Sequence, residues 1–204
     1  MFASAVETVV PFRTPPEKVA LATHFRSTWL TASLDGLKAK GHYARYIELL
    51  PARFHDPILH SIAGVWLPID IAVAHYAACD ALGLTQAEQL DMGREVLTRL
   101  KKTIFSLAFR AARDIGVTPW TMLKLLPGQF EREVRGGACG VFRLGPKDAR
   151  IELIGFPLSS SPYTRAGLRG LAHGLCEPLC SKVYSQELRD LTGPTTLAYR
   201  VAWA

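Results

Sequence analysis

The chain is poor in cysteine and has no CxxC pair. Its four cysteines are Cys79, Cys139, Cys176 and Cys180. That spacing excludes a zinc ribbon and a dense disulfide scaffold. A chain of 204 residues needs no such staples, because at that length roughly 70% of the unfolded surface is buried. Reduced thiols and a cytoplasmic location are therefore expected. No window approaches 18 uncharged apolar residues, so no membrane span is expected. The segment Met1 to Pro16 lacks a basic start followed by a long apolar stretch, and is not read as a secretory signal.

No run of like charge occurs either. Net charge is +6 and the isoelectric point is near 9.3. The Lys and Arg residues are scattered, which argues against a nucleic-acid partner. G-x-S-x-G, P-loop, G-x-G-x-x-G and H-E-x-x-H motifs are all missing. Ser159-Ser160-Ser161 is a loop and not a nucleophile elbow. These absences remove the common hydrolase, nucleotide-binding and metalloprotease classes. No catalytic residue is assigned, and the chain is not read as an enzyme.

Hydrophobic residues make up 49% and charged residues 21%, an ordinary globular balance. Residues 1–17 hold three prolines and little period, so they read as an extended arm before a single domain over 18–204. Val19 to Leu50 reads as two helices broken at Gly41. Asp56-Pro57 starts a short helix, and Pro68 starts another that runs to about Ala81. Thr85 and Glu88 form a capping box. It opens a helix to Ile115 with Leu100, Ile104, Ala108 and Ala111 on its apolar face. Arg99, Lys102, Arg110 and Arg113 lie on the opposite face, which reads as solvated. Thr118-Pro119 starts a last helix that ends before Gly136-Gly137.

Past Gly137 the period changes to two. Val141 to Leu144 and Ile151 to Phe156 read as strands. Tyr163 to Leu179 reads as a helix, and Val183 to Leu188 and Thr196 to Trp203 as a second strand pair. In the last strand Leu197, Tyr199, Val201 and Trp203 fall on one face. The fold class predicted is α+β, with a helical N-terminal two-thirds packed on a small antiparallel sheet of order strand-strand-helix-strand-strand.

Few residues offer chemistry. His75 and Cys79 are spaced i, i+4 with Tyr76 between them, on a helix whose other residues are nearly all apolar and small. Trp66 and Trp120 stand where helices begin. Trp66, His75, Tyr76, Cys79 and Trp120 are the candidate ligand-binding residues, around an apolar pocket between the helix after Pro68 and the sheet. Size decides that reading: a gap of a few hundred Å³ holds a ligand, one of a few tens a water at most. His173, Cys176 and Cys180 share a helical face, but Pro178 interrupts it and no fourth ligand is near, so they read as packing and not as a metal site.

The stretch Gly136 to Trp203 carries Arg165-Ala166-Gly167-Leu168, then Gly170, Gly174-Leu175 and the closing strand Ala198-Tyr199-Arg200-Val201-Ala202-Trp203. It resembles a superfamily that includes haem-nitric-oxide/oxygen-binding domains, 4-vinyl-reductase domains and small subunits of the transport-protein-particle tether. Through Gly145-Pro146, the glycine-rich helix and the aromatic end it is most similar to a paralogous family of myxobacterial proteins. The resemblance implies the fold, pairing into homodimers and a pocket between helices and sheet for an apolar or haem-like ligand; a protein partner is expected with the sensory or adaptor role. Haem-binding members carry Y-x-S-x-R, where this chain has Ser161, Tyr163 and Arg165, so only the Arg matches. Their proximal His falls some thirty residues earlier, and this chain has no His between His75 and His173. Zinc-binding members end in paired Cys, absent from Val183 onward. The expectation is therefore no cofactor, with haem disfavoured. The function expected is a non-enzymatic sensory or adaptor module for a small apolar ligand. The alternatives are a protein-interaction subunit with a filled core and, behind it, a haem sensor or small hydrolase.

Overall fold

The computed structural model describes residues 6–100 and 118–204, with residues 97–100 described by backbone alone. A five-stranded antiparallel sheet forms one layer, in the order β1-β5-β6-β8-β7. Its strands are β1 (Glu7–Val10), β5 (Ala138–Gly145), β6 (Asp148–Ile154), β7 (Val183–Glu187) and β8 (Thr196–Trp203). The period-two pattern sets the register. Ile151 pairs with Val141 on one side and Tyr199 on the other, so all three side chains enter the core together, and each is buried. Leu197, Tyr199, Val201 and Trp203 are buried as their alternation predicts.

Among the described residues the α-helices are α1 (Ser27–Ala39), α2 (Tyr43–Leu49), α3 (His55–Leu59), α4 (Ile69–Asp80), α5 (Gln86–Leu100), α6 (Pro119–Leu123), α7 (Leu126–Glu133) and α8 (Pro162–Cys176). The chain is α+β, as predicted. The capping box at α5 is formed: the Thr85 N–H donates to the Glu88 carboxylate at 2.7 Å and the Glu88 N–H to Thr85 Oγ1 at 3.3 Å. The apolar and basic faces expected from Arg99 to Arg113 lie outside the described side chains.

Two parts of the N-terminal half differ from expectation. Residues 7–10 are the edge strand β1, paired to β5, and Phe12 meets Phe142 edge-on at 5.7 Å, so the arm is part of the sheet. The stretch before α1 is extended where a helix was expected. There β2 (His24–Arg26), β3 (Trp66–Pro68) and β4 (Val134–Arg135) form a second small sheet. Its partners are far away in sequence: the Ala22 N–H donates to the Gly155 carbonyl at 2.7 Å and the Thr23 N–H to the Arg135 carbonyl at 2.8 Å. Local helix propensity loses to these bonds. Gly136 and Gly137, at φ +83° and +65°, then turn the chain into β5 in a conformation that side chains with a Cβ rarely adopt. No helix among the described residues is long and apolar enough to cross a membrane.

Candidate functional site

Helix α4 brings His75, Tyr76 and Cys79 onto its buried side, while Val73 and Ala77 form an exposed stripe. The helix therefore flanks the core, although its residues are nearly all apolar. Tyr46 from α2 reaches His75 Nδ1 at 2.7 Å, and Ser33 from α1 reaches its Nε2 at 2.9 Å. Cys79 Sγ lies 3.7 Å from the same Nε2. Both ring nitrogens are thus engaged by neutral groups. Burial pushes the imidazole down to about 3, so it stays uncharged at neutral pH. The same burial raises the Cys79 thiol well above its ordinary value, with the Asp80 charge adding to it. A thiol held protonated beside a weakened base does not make a nucleophile pair.

Asp80, at the end of α4, holds the start of α8. Its Oδ1 accepts the Tyr163 N–H at 2.7 Å, while Ser161 Oγ accepts the Thr164 N–H at 3.1 Å as the helix cap. From that fixed end α8 presents Thr164, Gly167, Leu168 and Leu171 inward, at i, i+3, i+4 and i+7. They help line a cavity of about 60 Å³ with Trp29, Ser33, Tyr76 and Tyr163. A second cavity of about 80 Å³ lies against the sheet, walled by Phe130, Cys139, Ile151 and Tyr199. Trp29, Leu168 and Leu171 line both cavities, so these three side chains stand between them. The Thr164 hydroxyl is buried without a hydrogen-bond partner.

Of the five candidate residues, Tyr76 lines the first cavity, and His75 and Cys79 stand behind Ser33. Trp66 and Trp120 are elsewhere. Trp66 lies between the guanidiniums of Arg26 and Arg135, each 4.3 Å from its ring. Trp120 meets Trp203 at 5.2 Å and donates to the Pro146 carbonyl at 2.8 Å. The compartment beside the sheet is walled by α1, α7 and α8, where α4 had been expected. Only part of its lining was legible, the inward face of α8, whose residues follow helical spacing. Tyr46 and Ser33 carry no local signal, since only the packing of α1 and α2 on α4 brings them to His75. Cys176 is buried, and the half-buried Cys180 donates from its thiol to the Cys176 carbonyl at 3.2 Å.

No family model and no curated protein matches the chain. Solved structures do. An Fe(II) unliganded H-NOX protein from K. algicida superposes with a TM-score of 0.65 at 9% identity, over 88% of this chain and 96% of that one. An oxygen-binding H-NOX domain related to soluble guanylate cyclases superposes at 0.57 and 12% identity, over 87% and 94%. A third, solved in work on haem distortion in the H-NOX family, gives 0.58 and 9%, over 87% and 94%.

The fold is the H-NOX fold.

The expectation of no cofactor is corrected by this result, because the structures that share the fold include haem proteins. The walls of the two cavities are mostly apolar, as the faces of a haem require, but the space between them is far smaller than a haem. They do not fit an iron–histidine bond. No His among the described residues lines either cavity, and His75 already spends both nitrogens. The soft donor on the wall is Cys139, whose thiol burial holds protonated. Arg165, the matching residue of the family motif, faces Glu187 at 3.7 Å.

Proposed function

We propose that the chain is a sensory domain that takes a small, largely apolar ligand in the divided compartment between α1, α8 and the sheet. The observation that carries the reading is the pair of adjoining cavities sharing Trp29, Leu168 and Leu171. Each holds tens of Å³ where a ligand needs a few hundred, so as they stand they take no ligand, and the reading requires their walls to part on binding. On this reading the ligand displaces Trp29 and joins them into one space, mostly apolar, with Ser33, Tyr76, Tyr163 and Thr164 as the polar groups of the first cavity and Gln129 and Tyr199 as those of the second. Planar tetrapyrroles, haem first among them, are the ligand class this reading favours, given the oxygen-binding and haem proteins that share the fold. Four free thiols agree with a reducing compartment. Signalling output, a homodimeric state and a protein partner belong to the same proposal.

Trp29 fluorescence supplies the test. Hemin and metal-free protoporphyrin should each quench it saturably at one molecule per chain, and Leu168→Trp should abolish both effects. Cys139→Ser should weaken hemin alone if the thiol meets the iron. Absence of saturable binding by either compound refutes the tetrapyrrole reading. Quenching that survives in Leu168→Trp refutes the site.

A further inference from the structure

From that compartment a continuous row of aromatic rings runs outward, with Tyr76 and Tyr163 at its inner end on the cavity wall. Tyr43 is half-buried under the Lys38 ammonium. It stacks on Tyr46 at 6.3 Å, Tyr46 meets His75 at 5.3 Å, His75 meets Tyr76 at 4.7 Å, and Tyr76 meets Tyr163 at 6.1 Å. The row joins the α2 surface to the wall of the first cavity.

One tyrosine of the row has a base on its hydroxyl. Tyr46 and His75 are both fully buried, with Tyr46 Oη 2.7 Å from His75 Nδ1. The hydrogen bonds assign the tautomer. With the imidazole proton on Nε2, the Tyr46 O–H donates to Nδ1 and the Nε2–H donates to Ser33 Oγ. In the other tautomer the buried Tyr46 hydrogen would have no acceptor. The titratable groups packed around the pair are Tyr43, Tyr76, Cys79, Asp80 and Tyr163. Asp80 is turned to the start of α8 and does not contact the pair.

We propose that Tyr46 is a redox-active tyrosine, oxidised by one electron with transfer of its phenolic proton to His75 Nδ1. The electron leaves through the ring of Tyr43 to an outer-sphere oxidant of the metal-complex class. The O–H bond of Tyr46 breaks as an N–H bond forms on Nδ1, leaving a neutral tyrosyl radical and an imidazolium that donates through Nε2 to Ser33. A one-electron reductant of the ascorbate class reverses both steps. The proton acceptor selects Tyr46. Oxidising a buried phenol without a base leaves the proton on the radical cation, whereas at Tyr46 it has an acceptor at 2.7 Å, and the positive charge moves to an imidazolium that is hydrogen-bonded through Nε2 to Ser33. A phenol radical cation is a strong acid, so even an imidazole made less basic by burial takes its proton. The step is independent of whether the compartment binds a tetrapyrrole.

The test uses the purified chain without added ligand, photo-oxidised by flash-generated tris(bipyridine)ruthenium(III) and frozen for electron paramagnetic resonance. A tyrosyl signal is expected, with an exchangeable proton coupled to the phenoxyl oxygen that disappears in deuterated buffer. Tyr46→Phe should lose that signal, while Tyr163→Phe keeps it. Equal yield and line shape in Tyr46→Phe would overturn the proposal. So would a Tyr46 radical without the exchangeable coupling, a result obtained on the unmodified chain and so free of any folding defect in a variant.

Discussion

His75 has no carboxylate beside it to favour its cation, and its two partners are hydroxyls. Its folded-state value of about 3 lies below the value of about 6.5 of an unfolded chain. Between these limits the unfolded chain binds a proton that the folded chain refuses, so stability falls as pH drops below about 6.5. Asp80 and Glu133 carry the opposite sign. Burial raises both carboxyls, so each favours the folded chain at low pH and loses that contribution as pH rises through its folded value. They offset part of the His75 loss, which begins as pH falls below about 6.5. Urea midpoints should therefore decline between about pH 6.5 and pH 5. The half-buried His173 is lowered too, by burial and by Arg94. The decline should shrink more in His75→Phe than in His173→Gln, and equal slopes would contradict this account.

At the scale of elements, α5 and α8 are the most extensively packed helix pair among the described residues. Their approach depends on glycine. A Cβ on Gly170 would fall on the Leu90 carbonyl oxygen, and one on Gly93 on the Gly167 carbonyl oxygen. Gly170→Ala should cost about 1–3 kcal/mol by forcing the helices apart, measured by urea denaturation. Gly128→Ala is the control, because its Cβ would meet nothing within 4 Å. Helix starts were legible here wherever a side chain caps its own neighbours, as Thr85 and Glu88 do. The three short strands β2, β3 and β4 were not legible. Their bonding partners lie tens of residues away, and no local pattern announces a two- or three-residue strand.

For the whole molecule, the edge of the main sheet is closed by the residues that the sequence presents as a loose arm. β1 covers β5, and an Arg143–Glu7 ion pair at 3.1 Å spans the two. Removing residues 1–12 would expose the β5 edge and uncover Gly140, which sits under the Phe12 ring. An uncovered edge strand invites pairing with another chain. The truncated protein should melt several degrees lower and should associate further as its concentration rises, seen by light scattering. An unchanged melting temperature would mean that β1 adds nothing to the domain. The same scattering measurement on the full chain tests the homodimer.

The sequence by itself determined the α+β class, the position of the strand-strand-helix-strand-strand unit and the cap of α5. Each rests on interactions within a few residues or on a repeating period. Tertiary structure alone decided which residues share a site. Tyr46, Ser33 and Tyr163 converge on His75 and Cys79 from three other helices, while Trp66 and Trp120, which looked equally apt, are carried to opposite sheets. Only packing supplies that information. A side chain's partner across the core depends on how elements distant in sequence bury their apolar faces against one another, and no local signal encodes that arrangement.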